Sequence, residues 1–332
     1  MKRYLIWLGV VYILLLLFPL PLLGKSKPDK DIGNSSHSRQ VTSTTQKSNK
    51  IDDTFRLLNT KTGKVIELTA RNFLIGAVGA ELYPTFHTEA IKAQAVASYT
   101  YYNVLRNRQR TNPDKSLNGA DFADKQADLP IYYNNEQLKE RWGANYDTYY
   151  KKISDAVNDV LGILITYDNE PITAVYHAIS SGTTEDAAVI WGTSYPYLQP
   201  VATPGDKISP KYQSITTFTP DELSTKLRAI KDIEFTGSAD TWLGNDIQTS
   251  TSGTVTYLTI CKTPFTGREI REALGLRSAC FTVKLQSGNF EFTVLGYGHN
   301  VGMSQYGADY LARQGMAYDD ILKYYYTDVE IK

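Results

Sequence analysis

The sequence predicts an α+β protein, with mixed helices and antiparallel strands in two lobes with a cleft between them, preceded by one N-terminal transmembrane helix. Three observations carry this. Residues 4–24 form an apolar run with no charged side chain. Residues 89–106 are alanine-rich with helical periodicity. The remaining apolar segments do not alternate strand and helix as a doubly wound sheet does. A length of 332 residues suffices for one large domain or for two lobes sharing a core.

The elements follow in chain order. Lys2 and Arg3 precede the run at 4–24, which is long enough to cross a bilayer core and places the N-terminus in the cytoplasm. A cleaved signal peptide is the rival reading, but the run ends at Leu22, Leu23 and Gly24 without a small-x-small site. Residues 25–54 are rich in Ser, Thr, Lys, Asn and Asp and read as a flexible linker. The folded domain then spans 55–332. A short strand is expected at 64–69 and a helix at 71–81, with Phe73, Leu74, Ala77 and Val78 on one face. Beyond Pro84 comes the long helix at 89–106, whose alanines imply close packing on its neighbours. After a loop-rich stretch, helices are expected at 136–142 and 149–161, then strands at 163–167 and 172–177. Further strands are expected at 254–261, 281–285 and 290–294, the last two joined as a hairpin at Ser287 and Gly288. Helices at 302–315 and 317–326 close the chain.

Composition excludes one function class. The 35 basic and 35 acidic side chains give a formal net charge of zero, which argues against a protein held to nucleic acid. The 24 tyrosines suit a carbohydrate cleft, since a ring stacks on a sugar face while its hydroxyl finds a partner. They equally suit ordinary strands and surfaces. Cys261 and Cys280 either pair, closing a loop whose entropy is worth roughly 3 kcal/mol, or stay as buried thiols. No histidine lies near them in sequence to make a zinc site.

Four polar clusters stand out. The first runs from Glu81 to Ala95 and holds Glu81, Glu89, Lys92 and Gln94. Glu81 ends an apolar helix, where partial burial would raise its pKa and keep it protonated as an acid. Glu89 suits the first turn of the next helix, where an acidic residue complements the macrodipole. The second cluster, His177 to Glu185, includes Ser180, Ser181 and Gly182 at the end of a strand, a usual place for ligand contacts. It lacks the glycine-flanked serine of a hydrolase elbow. The third is Trp191 and Gly192 with Tyr195 and Tyr197. The fourth runs from Gly296 to Gly307, where closely spaced glycines surround His299, Asn300, Ser304 and Gln305. Ser304 or Asn300 serves there either as a ligand contact or as a helix cap.

In this order and spacing the clusters resemble the stage II sporulation protein D family, which includes amidase enhancers. The resemblance is carried by Glu89-Ala-Ile-Lys-Ala-Gln-Ala, by Ser181-Gly-Thr-Thr-Glu185, by Trp191-Gly with Pro196-Tyr-Leu198, and by Gly298-His-Asn-Val-Gly-Met-Ser-Gln-Tyr-Gly307. It implies a membrane-anchored, extracytoplasmic lytic transglycosylase cleaving peptidoglycan glycan strands that lack stem peptides during engulfment. The enzyme would face the space between mother-cell and forespore membranes. It implies Glu81 as the catalytic acid/base, with Glu89 the fallback, and Lys92, Gln94, Ser180, Ser181, His299, Ser304 and Gln305 lining the substrate cleft. No cofactor is implied. The implied partner is a cell-wall amidase or endopeptidase, and the alternative reading is a non-catalytic glycan-binding activator of such an amidase. Three departures from the family pattern stand out. Glu-Met-Pro becomes Glu81-Leu-Tyr-Pro84, an arginine is replaced by Tyr99, and Leu117, Ala123 and Leu129 stand where many relatives carry zinc ligands. No metal is therefore expected at that segment.

Overall fold

The computed structural model describes residues 53–126 and 129–332. The predicted anchor at 1–24 and the linker, up to residue 52, lie outside the described residues. Among the described residues no helix is long and apolar enough to cross a membrane.

The architecture is α+β. Strand Thr54–Leu58 pairs antiparallel with Val65–Thr69 and parallel with Phe122–Ala123. Helix α1 (Ala70–Glu81) follows at once, started by the Thr69 side chain, which accepts from the Asn72 N–H. It is buried almost all round, including Phe73, Leu74, Ala77 and Val78. Helix α2 (Thr88–Thr111) is the long alanine-rich helix, and Ala90, Ala93, Ala95 and Ala97 are all buried. Small side chains let several elements approach one axis. Helices α3 (Asn135–Trp142) and α4 (Tyr146–Val160) pack on α1, and α4 also lies along α2.

The short helix α5 (Ala187–Trp191) leads toward a second group of elements. There Asn289–Leu295 lies between Gln213–Phe218 and Phe281–Gln286, all antiparallel. Helices α6 (Pro220–Arg228) and α7 (Gly267–Leu274) pack together, α6 on that sheet and α7 on the strand Val255–Ile260. Helices α8 (Gln305–Arg313) and α9 (Tyr318–Tyr325) return to α2. Buried apolar side chains accordingly form two clusters. One holds Phe55, Phe73, Ile91, Val157 and Tyr325, and the other Phe218, Leu258, Ile270, Phe290 and Phe292.

Several elements differ from the sequence expectation. The strand expected at 172–177 is reduced to Tyr176–His177, because its partner is the two-residue strand Met303–Ser304. That pairing also delays the helix expected from 302, which starts at Gln305 with Ser304 as its cap. Helices α6 and α7 were not expected, yet both begin with a complete capping box, Thr219 with Glu222 and Thr266 with Glu269. The hairpin at Ser287 and Gly288 forms as expected, both residues having positive φ. Of the two cysteine readings, the thiols hold. Cys280 is buried beside Thr254, and Cys261 sits in the turn between Val255–Ile260 and Thr263–Phe265.

Candidate active site around Glu81

Glu81 is the last residue of α1. The helix stops because Leu82 turns extended while its N–H still bonds to the Val78 carbonyl, and Pro84 cannot continue it. The segment beyond is clamped by three side chains from two helices. Lys152 of α4 donates to the Pro84 and Phe86 carbonyls at 3.0 and 2.5 Å. Arg313 of α8 donates to the Thr85 carbonyl at 3.1 Å, and Asp309 accepts the His87 N–H at 2.6 Å. The carboxyl is thus fixed at a helix end whose continuation cannot drift.

The Glu81 carboxyl accepts from Gln305 Nε2 at 3.4 Å, and the same amide also reaches Gln94 Oε1 at 3.3 Å. Gln94 donates to Ser98 Oγ at 3.0 Å, and Ser98 donates to the Tyr176 hydroxyl at 3.3 Å. Tyr176 is bonded in turn to Tyr102. Gln94 and Ser98 share one face of α2 because they are four residues apart. Burial raises the Glu81 carboxyl above the usual range, against the opposing pull of the Gln305 bond and of the Arg141 charge. Its place at the carbonyl end of a helix disfavours the charged form in the same sense.

Glu89 and Lys92 belong to a different arrangement. Lys92 lies two residues before Gln94, about 200° round the helix, and faces the other way. It pairs with Glu89 and with Asp159 of α4, each at 3.1 Å. Glu89 also accepts the Tyr318 N–H at 2.9 Å, capping the start of α9. Desolvation pulls the Lys92 ammonium down, but the two carboxylates outweigh it and leave it above its ordinary value.

Ser180 and Ser304 meet on a residue that sequence reasoning missed. Asp206 is fully buried and accepts the Ser180 N–H and the Ser304 hydroxyl, each at 2.8 Å. Ser180 Oγ is bonded to Thr203 and accepts the Gly182 N–H at 3.0 Å. Burial raises the Asp206 carboxyl despite these donors. Ser181 is held by Asn300, whose Oδ1 accepts its N–H at 3.0 Å and whose Nδ2 donates to its Oγ at 3.2 Å. Asn300 has φ +71°, a conformation that asparagine tolerates better than most residues.

His299 packs between His177 and Trp191, with ring centroids 5.6 and 5.2 Å away. Its Nδ1 accepts the Val301 N–H at 3.2 Å, so the other nitrogen carries the proton toward the Tyr176 backbone. Burial and the Arg271 charge push His299 down to about 4. Burial and His299 itself push His177 down to about 3. Both rings are neutral at ordinary pH.

The structure therefore joins Glu81, Gln94 and Gln305 in one network, and ties Ser180 to Ser304 through Asp206. The two groups meet at the start of α8, where Ser304 and Gln305 are consecutive. Ser98, Tyr102, Tyr176 and Asp206 were not singled out from sequence. Ser98 is visible as the residue four after Gln94, whereas Asp206 carries no sequence signal. Among the described residues no cluster of His, Cys, Asp and Glu is arranged to hold a metal ion.

Comparisons with known proteins place the chain in a family. The family model described as stage II sporulation protein matches residues 58–167. Stage II sporulation protein D of Bacillus subtilis (strain 168) is 35% identical, with 100% of this chain and 96% of that protein covered. The protein of the same name from Bacillus amyloliquefaciens is 38% identical over 82% of this chain and 76% of its own. The amidase enhancer of Bacillus subtilis is 24% identical over 76% of this chain and 39% of that protein. The chain belongs to the stage II sporulation protein D family, a family of sporulation proteins.

Proposed function

We propose that the protein is a lytic transglycosylase that cleaves peptidoglycan glycan strands, with Glu81 as its single acid/base. The observation that carries this reading is the state of Glu81. It is a carboxyl fixed at a helix end, its pKa raised by burial, and oriented by Gln305. Among the described residues the other carboxyls nearby are committed, Glu89 to Lys92 and Tyr318 and Asp206 to Ser180 and Ser304. One free carboxyl suits a reaction in which the sugar supplies its own nucleophile. Protonated Glu81 gives its proton to the glycosidic oxygen as the C1–O bond breaks. The resulting carboxylate takes the proton of the sugar's 6-hydroxyl as that oxygen bonds to C1, which restores the acid and leaves a 1,6-anhydro end. A two-carboxylate glycosidase would instead need a second acid within about 5–10 Å.

On this reading the apolar run at 4–24 anchors the chain in the cell membrane. The two hydrophobic clusters are the lobes of the substrate cleft, which faces the wall from outside the cytoplasm. Glu81→Gln keeps shape and hydrogen bonding while removing the proton. It is expected to lower release of anhydro-sugars from peptide-free glycan by about 10²–10⁴-fold without changing the fold. Because the acid must be protonated, wild-type activity is expected to fall as pH rises through the raised Glu81 pKa. Full release by Glu81→Gln would remove the catalytic assignment.

The likeness to an amidase enhancer supports a second reading, a glycan-binding activator of a cell-wall amidase. Binding of glycan by the wild type with no anhydro-sugar release, together with stimulation of an added amidase, would decide for it.

A further inference from the structure

Two cations beside the candidate site have no acidic partner. Lys211 donates to the Tyr83 hydroxyl at 2.5 Å, and its ammonium lies 5.0 Å from the Tyr83 ring centre. Arg277 lies over Tyr297 at 5.5 Å. Among the described residues neither cation reaches a carboxylate, unlike Lys151, Arg268, Arg313 and Lys323 on the helix surfaces.

The two pairs are neighbours. The Gly296 N–H bonds to the Tyr212 carbonyl, next to Lys211, and the Gly298 N–H bonds to the Arg277 carbonyl. Tyr297, between those glycines, is thereby fixed at Arg277, whose charge in turn acts on Lys211. Tyr83 lies two residues beyond Glu81 and packs tilted against Phe86 at 6.0 Å, and Phe86 meets Tyr306 at 5.0 Å. Tyr306 follows Gln305, the residue that holds the Glu81 carboxyl. The strip thus starts where the acid is. Tyr83 and Tyr297 are 42% and 44% exposed, so each ring is open to an incoming sugar.

Exposed rings stack on sugar faces, and a cation resting on a ring is held in place yet keeps donors free for an anion. The Tyr83 hydroxyl also holds the Lys211 ammonium above its ordinary value, so it stays charged. The ligand this chemistry fits is a saccharide chain bearing carboxylates. In a peptidoglycan strand the muramic acid carboxyl is an amide while a peptide is attached, and a free anion once it is removed.

We propose that Lys211 and Arg277, each laid over an exposed tyrosine and close enough for their charges to act on each other, read free carboxylates on the glycan and so determine which strands are bound. This rests on the reading of the site as a glycan site. The test uses the full chain carrying Glu81→Gln, so that binding is measured without turnover. Its affinity is compared for peptide-stripped glycan and for the same glycan with carboxyls converted to methylamides. The expected result is about tenfold weaker binding of the amidated glycan, the size of one charge-assisted hydrogen bond, with the difference shrinking in salt. Adding Lys211→Met and Arg277→Met is expected to make the two affinities equal, at the weaker value. Equal affinities before those changes, a preference that survives them, or no binding of either glycan would overturn the proposal. Cleavage is scored separately on the unsubstituted chain. No cleavage with the carboxylate preference intact refutes the lytic reading alone, and cleavage with no preference refutes this inference alone.

Discussion

At the residue scale, two carboxyls in this molecule do different work. Glu81 is half-buried, with one weak donor at 3.4 Å and a pKa that burial raises. Asp206 has the Ser180 N–H, the Ser304 hydroxyl and Thr203 around it, and works as a knot between distant segments. Removing it leaves those donors dry and unpaired, which costs more than the lost bonds themselves. Asp206→Ala is therefore expected to lower stability by about 3 kcal/mol, read as a shifted urea midpoint. A similar carboxylate, Asp121, takes both Nε and Nη2 of Arg110 at 2.8 and 2.9 Å as well as the Arg56 N–H. It ties the segment leading into Phe122–Ala123 to Arg56 and to the end of α2. The sequence showed Glu81 because it ends an apolar helix, and it showed Gln94 and Gln305 through their motifs. Asp206 was hidden, since an acidic residue between Gly205 and Lys207 reads as an exposed turn.

At the element scale, close approach of α1 to the loop before α3 sets where Glu81 stands. A Cβ on Gly76 would strike the Tyr132 ring and the Tyr133 carbonyl, and the backbone there cannot yield cheaply. Gly76→Ala is expected to destabilise by about 2 kcal/mol in chemical denaturation. The gain in helix propensity, about 1 kcal/mol, works in the other direction. Helices with a long apolar period were legible, as α1, α2 and α4 show. Helices α6 and α7 are short and mostly polar, and their capping boxes were the available signal. The two-residue strand Tyr176–His177 could not be read from local pattern, because its partner Met303–Ser304 lies far along the chain.

At the scale of the whole molecule, charge burial sets the pH range. His177 and His299 ionise at about 3 and about 4 in the fold, against 6.5 for a free histidine. The unfolded chain therefore binds protons first as pH falls, so stability is lost on going below about 6.5. The slope is up to about 1.4 kcal/mol per pH unit for each ring. Glu81 acts in the opposite sense, since its raised pKa withdraws stability as pH rises from the ordinary carboxyl value through it. Urea midpoints at pH 7 and pH 5 are expected to differ in the wild type and to converge when His177 and His299 are both replaced by Asn. An unchanged difference would mean that other groups carry the acid sensitivity. Finally, the bond between Gln305 and Glu81 spans 224 residues of chain. The carboxyl and the amide that aims it therefore come from distant parts of the sequence, and the carboxyl gains its orientation only when α1 and the start of α8 have both docked on α2. Local folding of α1 alone leaves it unaimed.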